Sequence, residues 1–568
     1  MFAISHLATR SSRRVCVCAH LHLYLHLPQS SALSDVISSV SDFSMRPIYA
    51  IIVPTCIISA SATRVDVKLA DFEAFGQTLG LSESSIESVG DRYARASATD
   101  NVLDIACLTA KLALQPGEVE TAPINQTVIE VNWSEACWYE PHCVIQPQSA
   151  IEVSKSLLVI DFFEVKFSVR SGGHSPNPGW SSIYDQGILL DLGKLNSISV
   201  SNDLSYARVE PGARWNDVYL TLGEQEVVVV GGRVPSVGVG GLILGGGYFF
   251  FSNQFGLAAD NVKNFEVVLS NGAIINANAT SNADLFWALK GGGPNFGIVT
   301  KYDLYTVPSY EIWGQQTLYS IDQAYDILAA FDEWQTNGAA DVKSSVTLLI
   351  ALDYAIVGLM YSEPLPQVPD IFSSFSKLVP LQTIVPSSNL TFSEITQLLS
   401  ASFPSTPGRH DYRGCSTRID AQLNREVYTA WSEKALAVHN ATGANQTFVI
   451  QHVGANVARQ GALKGGNPLN FPSGDMQWWT TIIDWESEDD DDLVRSVSIE
   501  TTTLYEELSK ERGLDVPFIF MNDASQDQNP LESYGPESIS RLKDISQKYD
   551  KKQVFQNLQN DGFLLSKL

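Results

Sequence analysis

Residues 168–180 read SVRSGGHSPNPGW, and they follow a run, EVKFSVR at 164–170, in which Val165, Phe167 and Val169 alternate with Lys166, Ser168 and Arg170. That period of two predicts a half-buried strand. Two glycines end it and carry a single imidazole, His174, on the loop beyond. Three further glycine groups follow: GGRVPSVGVGGLILGGG at 231–247, FGLAADN at 255–261 and KGGGPNFG at 290–297. Lacking Cβ, glycine lets main chain approach a flat or phosphorylated ligand, and successive amides can form an anion-binding nest. Turns or bulges would explain any one group. Four in series, each beside an apolar strand, exceed what turns require.

No G-x-x-x-x-G-K-[ST] is present, and no G-x-G-x-x-G lies between a strand and a helix, so P-loop and Rossmann readings are disfavoured. At 568 residues the chain predicts two to four domains, and 44% hydrophobic against 18% charged residues places it among globular proteins. A net charge of -26 argues against nucleic acid and anionic membrane surfaces as partners. The acidic run at 486–492 predicts a helix start capped by Ser487, not a cation site, because consecutive positions point around a helix.

Residues 1–44 hold Arg10, Arg13 and Arg14 and no acid before Asp35, and are read as a gene-model extension. A second start at Met45 precedes the apolar run PIYAIIVPTCIISASA, so residues 45–62 are expected to be a signal peptide and the protein to be secreted. No later stretch is long and apolar enough to span a bilayer. Sequons at Asn125, Asn132, Asn278, Asn389, Asn440 and Asn445 fit a secreted glycoprotein. Cys107, Cys137, Cys143 and Cys415 remain beyond the expected leader. With no C-x-x-C, zinc is disfavoured, no metal is expected, and a disulfide among the first three is anticipated.

Glycine-punctuated strands continue to about residue 308, including a hairpin at Asn271-Gly272 and a helix in SNADLFWALK ended by Gly291. Longer amphipathic helices then appear among strands, which marks a second domain. Helices and strands mix without regular β-α alternation, so the expected class is α+β.

Taken in chain order, VRSGGHS, VGGRVPSVGVGGLILGGG, GLAADNV, LFWALKGGGPNFGIVT and MNDASQDQNPLESYG…YDKKQVFQ resemble the fungal FAD-linked oxidases of the berberine-bridge-enzyme-like group, in the vanillyl-alcohol-oxidase (PCMH-type FAD-binding) superfamily. The resemblance covers nearly the whole chain after about residue 100. It implies a two-subdomain PCMH-type FAD-binding domain from residues 131–308 and 515–568, after an N-terminal segment at 63–130. Residues 309–514 would form a substrate domain whose antiparallel sheet, backed by helices, covers the flavin. It also implies a ring-nitrogen bond from His174 to the flavin 8α-methyl. The FAD-contacting positions carried over are Arg170, Ser171, Gly172, Gly173, His174, Ser175, Val237, Gly238, Gly240, Gly241, Gly245, Gly246, Asp260, Asn261, Gly297, Ile298, Val299 and Asn522.

Two departures bear on the chemistry. Bicovalent relatives carry cysteine just before the proline of GxCPxVGxGG, where this chain has Val234 before Pro235, so FAD is expected to be linked through His174 only. Relatives with Tyr-x-Asn-Tyr near the C-terminus use the second Tyr as base, where this chain reads Phe520-Met521-Asn522-Asp523. Asp523 is a candidate base if a dry pocket raises its pKa, and otherwise a backbone hydrogen-bonding group. His452 and Tyr412 are further candidates, each with an ordinary packing role as its alternative. Gln451, by family position, is expected to face the ring. Trp478, Trp479 and Trp485 read as core or pocket wall.

The expected function is a secreted FAD-linked oxidase that removes a hydride from a C–H bond of a small secondary metabolite or carbohydrate-type alcohol and passes the electrons to O2, releasing H2O2. The rivals are a flavin-free binding glycoprotein on the same fold and a flavin dehydrogenase that avoids O2.

Overall fold

The strand before the histidine loop forms as expected, at Lys166–Arg170. In the computed structural model, which describes residues 68–96, 101–402 and 407–568, it lies last in a four-stranded sheet. The order is Val119–Thr121, Cys143–Ile145, Gly187–Asp191, Lys166–Arg170, with the first pair antiparallel and the others parallel. The helix Ala150–Phe163 connects the second of these strands to the fourth, and its start is capped by Ser149, whose Oγ accepts from the Glu152 N–H. The extension expected at 1–44 and the signal peptide expected at 45–62 lie outside the described residues.

An open strand edge exposes unpaired amides. Here the C-terminal chain covers it: Phe167 N–H donates to the Leu558 carbonyl at 3.1 Å, and Asn560 N–H donates to the Phe167 carbonyl at 2.7 Å. A disulfide joins Cys107, on the helix Val102–Ala113, to Cys143, while Cys137 and Cys415 are free and buried.

The second sheet is antiparallel, ordered Ile198–Val200, Tyr206–Val209, Ile298–Val307, Val262–Val268, Ile274–Asn278, with Val228–Val229 also paired to the long central strand. The hairpin at Asn271-Gly272 is present. Only Gly272 takes a positive φ, of 79°, while Asn271 Oδ1 accepts from the Ala273 N–H at 3.1 Å. The helix expected in SNADLFWALK runs from Ala283 to Leu289.

The third sheet is antiparallel throughout and follows the order Pro380–Thr391, Glu311–Ser320, Tyr354–Tyr361, Ser344–Ile350, Phe448–Val453, Met476–Trp485, Arg409–Thr417, Asp515–Val516. The helices Ala324–Asn337, Ala421–Thr442 and Asp491–Arg512 pack on one of its faces. Ser487 caps the acidic run, accepting from the Asp489 N–H at 3.3 Å. Along each strand the side chains alternate between faces. Phe448, Ile450 and Trp479 join the helix-backed core, whereas Val453, Met476 and Trp478 join the core around the second sheet. Trp485 joins the helix-backed side and donates from Nε1 to Asp491.

Candidate functional site

The histidine loop rests on the backbone of the second glycine group. A Cβ on Gly172 would lie 2.5 Å from Gly238 Cα, and one on Gly238 would lie 2.6 Å from Gly172 Cα, so neither residue can carry a side chain without moving main chain. Ser171 Oγ ties the two segments by donating to the Pro211 carbonyl and accepting from the Gly240 N–H. Gly173 has φ of 65°, and its carbonyl accepts from the Trp133 N–H at 2.8 Å. Among the described residues, no protein acceptor meets the backbone N–H groups of Gly172, Gly173, His174 and Ser175. Successive free amides beside a positive-φ glycine form the nest that suits a phosphate group. The Arg214 guanidinium stands beside it and donates to the Ser236 carbonyl. These groups fit the pyrophosphate of a flavin dinucleotide.

His174 itself is fixed at both ring nitrogens. Nδ1 is 2.6 Å from the Tyr412 hydroxyl and Nε2 is 3.1 Å from Ser236 Oγ. The ring stacks on Trp133 at 4.5 Å between centroids, and His410 stacks on the same indole at 3.9 Å. Burial, followed by the Arg214 charge, lowers the His174 pKa to about 3, and the ring is neutral at physiological pH. Burial also holds Tyr412 well above the ordinary phenol range. An uncharged imidazole with a lone pair therefore sits at the head of the loop.

A second cluster holds Asp523, whose charge also acts on Tyr412. Gln451 Nε2 donates to Asp523 Oδ2 at 2.8 Å, and its Oε1 accepts from Arg233 Nη2 at 2.5 Å. Burial raises the Asp523 pKa, with the Arg233 charge and the Gln451 hydrogen bond opposing that rise. Asp523 packs beside Gly414. The Arg233 guanidinium lies 5.1 Å above the Tyr248 ring, and the Tyr248 hydroxyl donates to the His452 carbonyl.

The structure thus brings together Ser171, Gly172, Gly173, His174, Ser175, Gly238 and Gly240 on one side, and Tyr412, Gln451 and Asp523 on the other. Asn522 joins the C-terminal segment to the helix Val239–Leu244: its Oδ1 accepts from the Gly247 N–H and a Cβ on Gly245 would strike it. Gly241 faces open space. Val237 is held in the backbone, its carbonyl accepting from the Trp215 N–H, and Gly246 packs by Leu257 and Phe520.

Other expected positions have their side chains engaged elsewhere. His452 points to the opposite face of the sheet from its neighbour Gln451. There it is 4% exposed, 3.3 Å from Gln335 Oε1 and edge-on to Trp334. It does not share the cluster with Asp523. Arg170 is buried against Asp191. Asp260 accepts from the Leu257 N–H and from Asn467, and Asn261 bonds the Phe255 and Leu257 carbonyls, so both carboxamide and carboxylate hold their own loop. Ile298 and Val299 pair in the ladder with Val268 and Val267, and Gly297 packs on Val267. Asn132, one of the six sequons, is 2% exposed and bonded to Cys137 and Ser181, which corrects its reading as a glycan acceptor in the folded chain.

Trp133, Arg214, Arg233, Ser236, Tyr248 and His410 were not singled out in sequence. Arg233 alone had a visible signal there: it is a lone charge inside the glycine-rich, apolar run VGGRVPSVGVGG.

The comparisons with known proteins agree with this geometry. A family model described as an FAD binding domain matches residues 141–278. An FAD-dependent monooxygenase of Arthrobotrys oligospora is 38% identical over 435 residues, covering 77% of this chain and 84% of that protein. Among solved structures, 6-hydroxy-D-nicotine oxidase from Arthrobacter nicotinovorans superposes with a TM-score of 0.67 at 22% identity, covering 78% of this chain and 98% of that one. Glucooligosaccharide oxidase from Acremonium strictum, described with a 6-S-cysteinyl, 8α-N1-histidyl FAD, gives 0.68 at 19% identity, covering 80% and 98%.

Proposed function

Because the chain belongs to the berberine-bridge-enzyme-like, PCMH-type family of FAD-dependent oxidoreductases, we propose that it is an oxidase whose FAD is held by a single covalent bond, from His174. The observation that carries this reading is the neutral His174 ring at the head of four backbone N–H groups that have no protein acceptor among the described residues. Residues 131–308 and 515–568 would hold FAD, and residues 309–514 would supply the substrate face. Val234 stands where bicovalent relatives have cysteine, which supports linkage through the imidazole alone.

Bound FAD would supply the hydride acceptor and the reaction with O2 that yields H2O2. The chain's own residues have separate tasks. The amides of Gly172–Ser175 and the Arg214 guanidinium bind the pyrophosphate. Tyr412 and Ser236 fix the plane of the His174 ring. Asp523 accepts the proton that a small alcohol or secondary metabolite loses with its hydride, and Gln451 holds the carboxylate in place. A leader at 45–62 would route the enzyme for secretion, with glycans on the exposed sequons Asn125, Asn389, Asn440 and Asn445; N-terminal sequencing of secreted protein checks that start.

The test is His174→Ala. The variant should bind FAD that acid precipitation releases, whereas the parent keeps its yellow colour in the pellet, and flavin still covalent in the variant would end this assignment. The monooxygenase relative favours a second reading, oxygen insertion. Equimolar H2O2 with no label from isotopic O2 in the product supports the oxidase, and label in the product supports insertion.

A further inference from the structure

We infer that Arg233 is the recognition group for an anionic oxygen on the substrate, a carboxylate or an ionised enol or phenol, held beside Gln451 and Tyr248. This inference rests on the oxidase reading above and names the substrate class for the same site.

The backbone around Arg233 is built to aim it. It follows Gly231 and Gly232, which lie flat against the Trp215 indole: a Cβ on either would fall within 2.3 Å of that ring. The next residues are fixed too, since the Asn216 N–H donates to the Pro235 carbonyl at 3.0 Å and the Trp215 N–H donates to the Val237 carbonyl. With main chain pinned on both sides, the side chain extends inward to Gln451 and Tyr248.

Its charge is not neutralised by contact. Arg170 meets Asp191, Arg409 meets Asp491, Arg413 meets Asp527 and Arg495 meets Asp411, each through a close ion pair. Among the described residues Arg233 has no such partner. One nitrogen, Nη2, donates to Gln451, and the ring of Tyr248 faces the guanidinium. The nearest acid, Asp523, is held off by the same amide, which spends its Oε1 on Arg233 and its Nε2 on Asp523. A guanidinium carries five N–H donors in a planar fork matched to a carboxylate. Enclosing such a charge with no carboxylate in contact, only Asp523 beyond the bridging amide, costs free energy that an anionic ligand would lower.

Arg233, Tyr248, Tyr412, Asp523 and His174 are each half-buried, so each keeps some surface that a small ligand can reach. An oxyanion held at Arg233 would stack its attached ring or chain along Tyr248 and present the neighbouring carbon towards Asp523. Arg214, which also has no ion pair among the described residues, sits at the Gly172–Gly238 contact with the amide nest, a separate place with a separate anion to hold.

The experiment uses the flavin-loaded full-length enzyme and two probes of one shape, benzoate and benzamide, titrated while the visible flavin band is recorded. Benzoate should perturb the band saturably, and benzamide should bind at least about tenfold more weakly. Arg233→Gln should weaken benzoate by at least about tenfold and leave benzamide unchanged, with Arg233→Lys in between because it keeps charge but loses the fork. Equal affinity for the two probes, no saturable benzoate response in the parent, or undiminished benzoate binding in Arg233→Gln would each overturn the inference. A weakened sulfite adduct in Arg233→Gln with benzoate unaffected would assign the arginine to the flavin instead, and would also overturn it. Acid-stable colour retained in these variants keeps the His174 reading separate from the outcome.

Discussion

Replacing Gly172 by alanine tests whether the glycines serve the packing of one loop on another. The residue has no positive φ, so alanine meets no backbone penalty there, and the whole effect comes from contact. Its new Cβ would stand 2.5 Å from Gly238 Cα and 2.7 Å from Gly238 N. Carbon atoms at rest are about 3.5–4.0 Å apart, so the two loops must part by about 1 Å. Neither can swing away freely, because Ser171 bonds both Pro211 and Gly240, and the Val239 N–H donates to the Ala213 carbonyl. Overpacking of this kind costs about 1–3 kcal/mol.

Gly238→Ala makes the reciprocal clash and should cost a similar amount. The double variant should cost less than the sum, since one displacement relieves both contacts. Gly241→Ala is the control: it is exposed, lies in the helix Val239–Leu244 and meets no protein atom, so the fold should gain about 0.5–1 kcal/mol from helix propensity. Urea midpoints and flavin-to-protein ratios check all four proteins. Gly172→Ala as stable as the parent, or strictly additive losses in the double variant, would refute the loop-on-loop argument. A stable Gly241→Ala that loads less FAD would place the ligand against that open position.

Asp523→Asn should keep its acid-stable flavin and lose at least about a hundredfold in turnover, the range for removing a general base. Because burial raises the Asp523 pKa and the carboxylate is the working form, parent activity should rise with pH through a limb above the ordinary carboxylate range, and Arg233→Gln should move that limb higher still. A pH–rate profile checks both, and an Asn variant with parental turnover removes Asp523 from the reaction. His452 offers a stability test. Burial lowers its pKa from 6.5 to about 4, so its contribution to stability is complete above 6.5 and is lost as pH falls from 6.5 towards 4. The loss amounts to about 3 kcal/mol, and His452→Gln should flatten the acid limb of urea stability by that amount while turnover persists. An unchanged limb would refute it.

What could be read in the sequence was local. The alternation of Val165, Phe167 and Val169 fixed the strand before His174, and Ser487 marked its helix start, because strand period and cap chemistry act within a few residues. Asn271-Gly272 announced a hairpin but not its geometry: asparagine contributes a side-chain acceptor and only the glycine turns left-handed. The pairings of the site are of another kind. Arg233 meets Gln451 across 218 positions and Gln451 meets Asp523 across 72, distances over which no periodicity speaks. The same holds for Trp133, stacked with both His174 and His410.

The choice between Gln451 and His452 shows the limit in physical terms. Adjacent strand residues must face opposite ways, so at most one of them reaches the site. Both faces of this sheet are covered, one by helices and one by the second core, and the strand is apolar on either side, so alternation cannot say which face is which. The glycines were legible as a group, and their purpose was legible only in part. Gly172 and Gly238 exclude each other's side chains, Gly231 and Gly232 bed on Trp215, and Gly245 makes room for Asn522. Their absent side chains let two loops, one indole and the C-terminal segment approach one another, so these glycines serve the packing that sets the His174 loop in place.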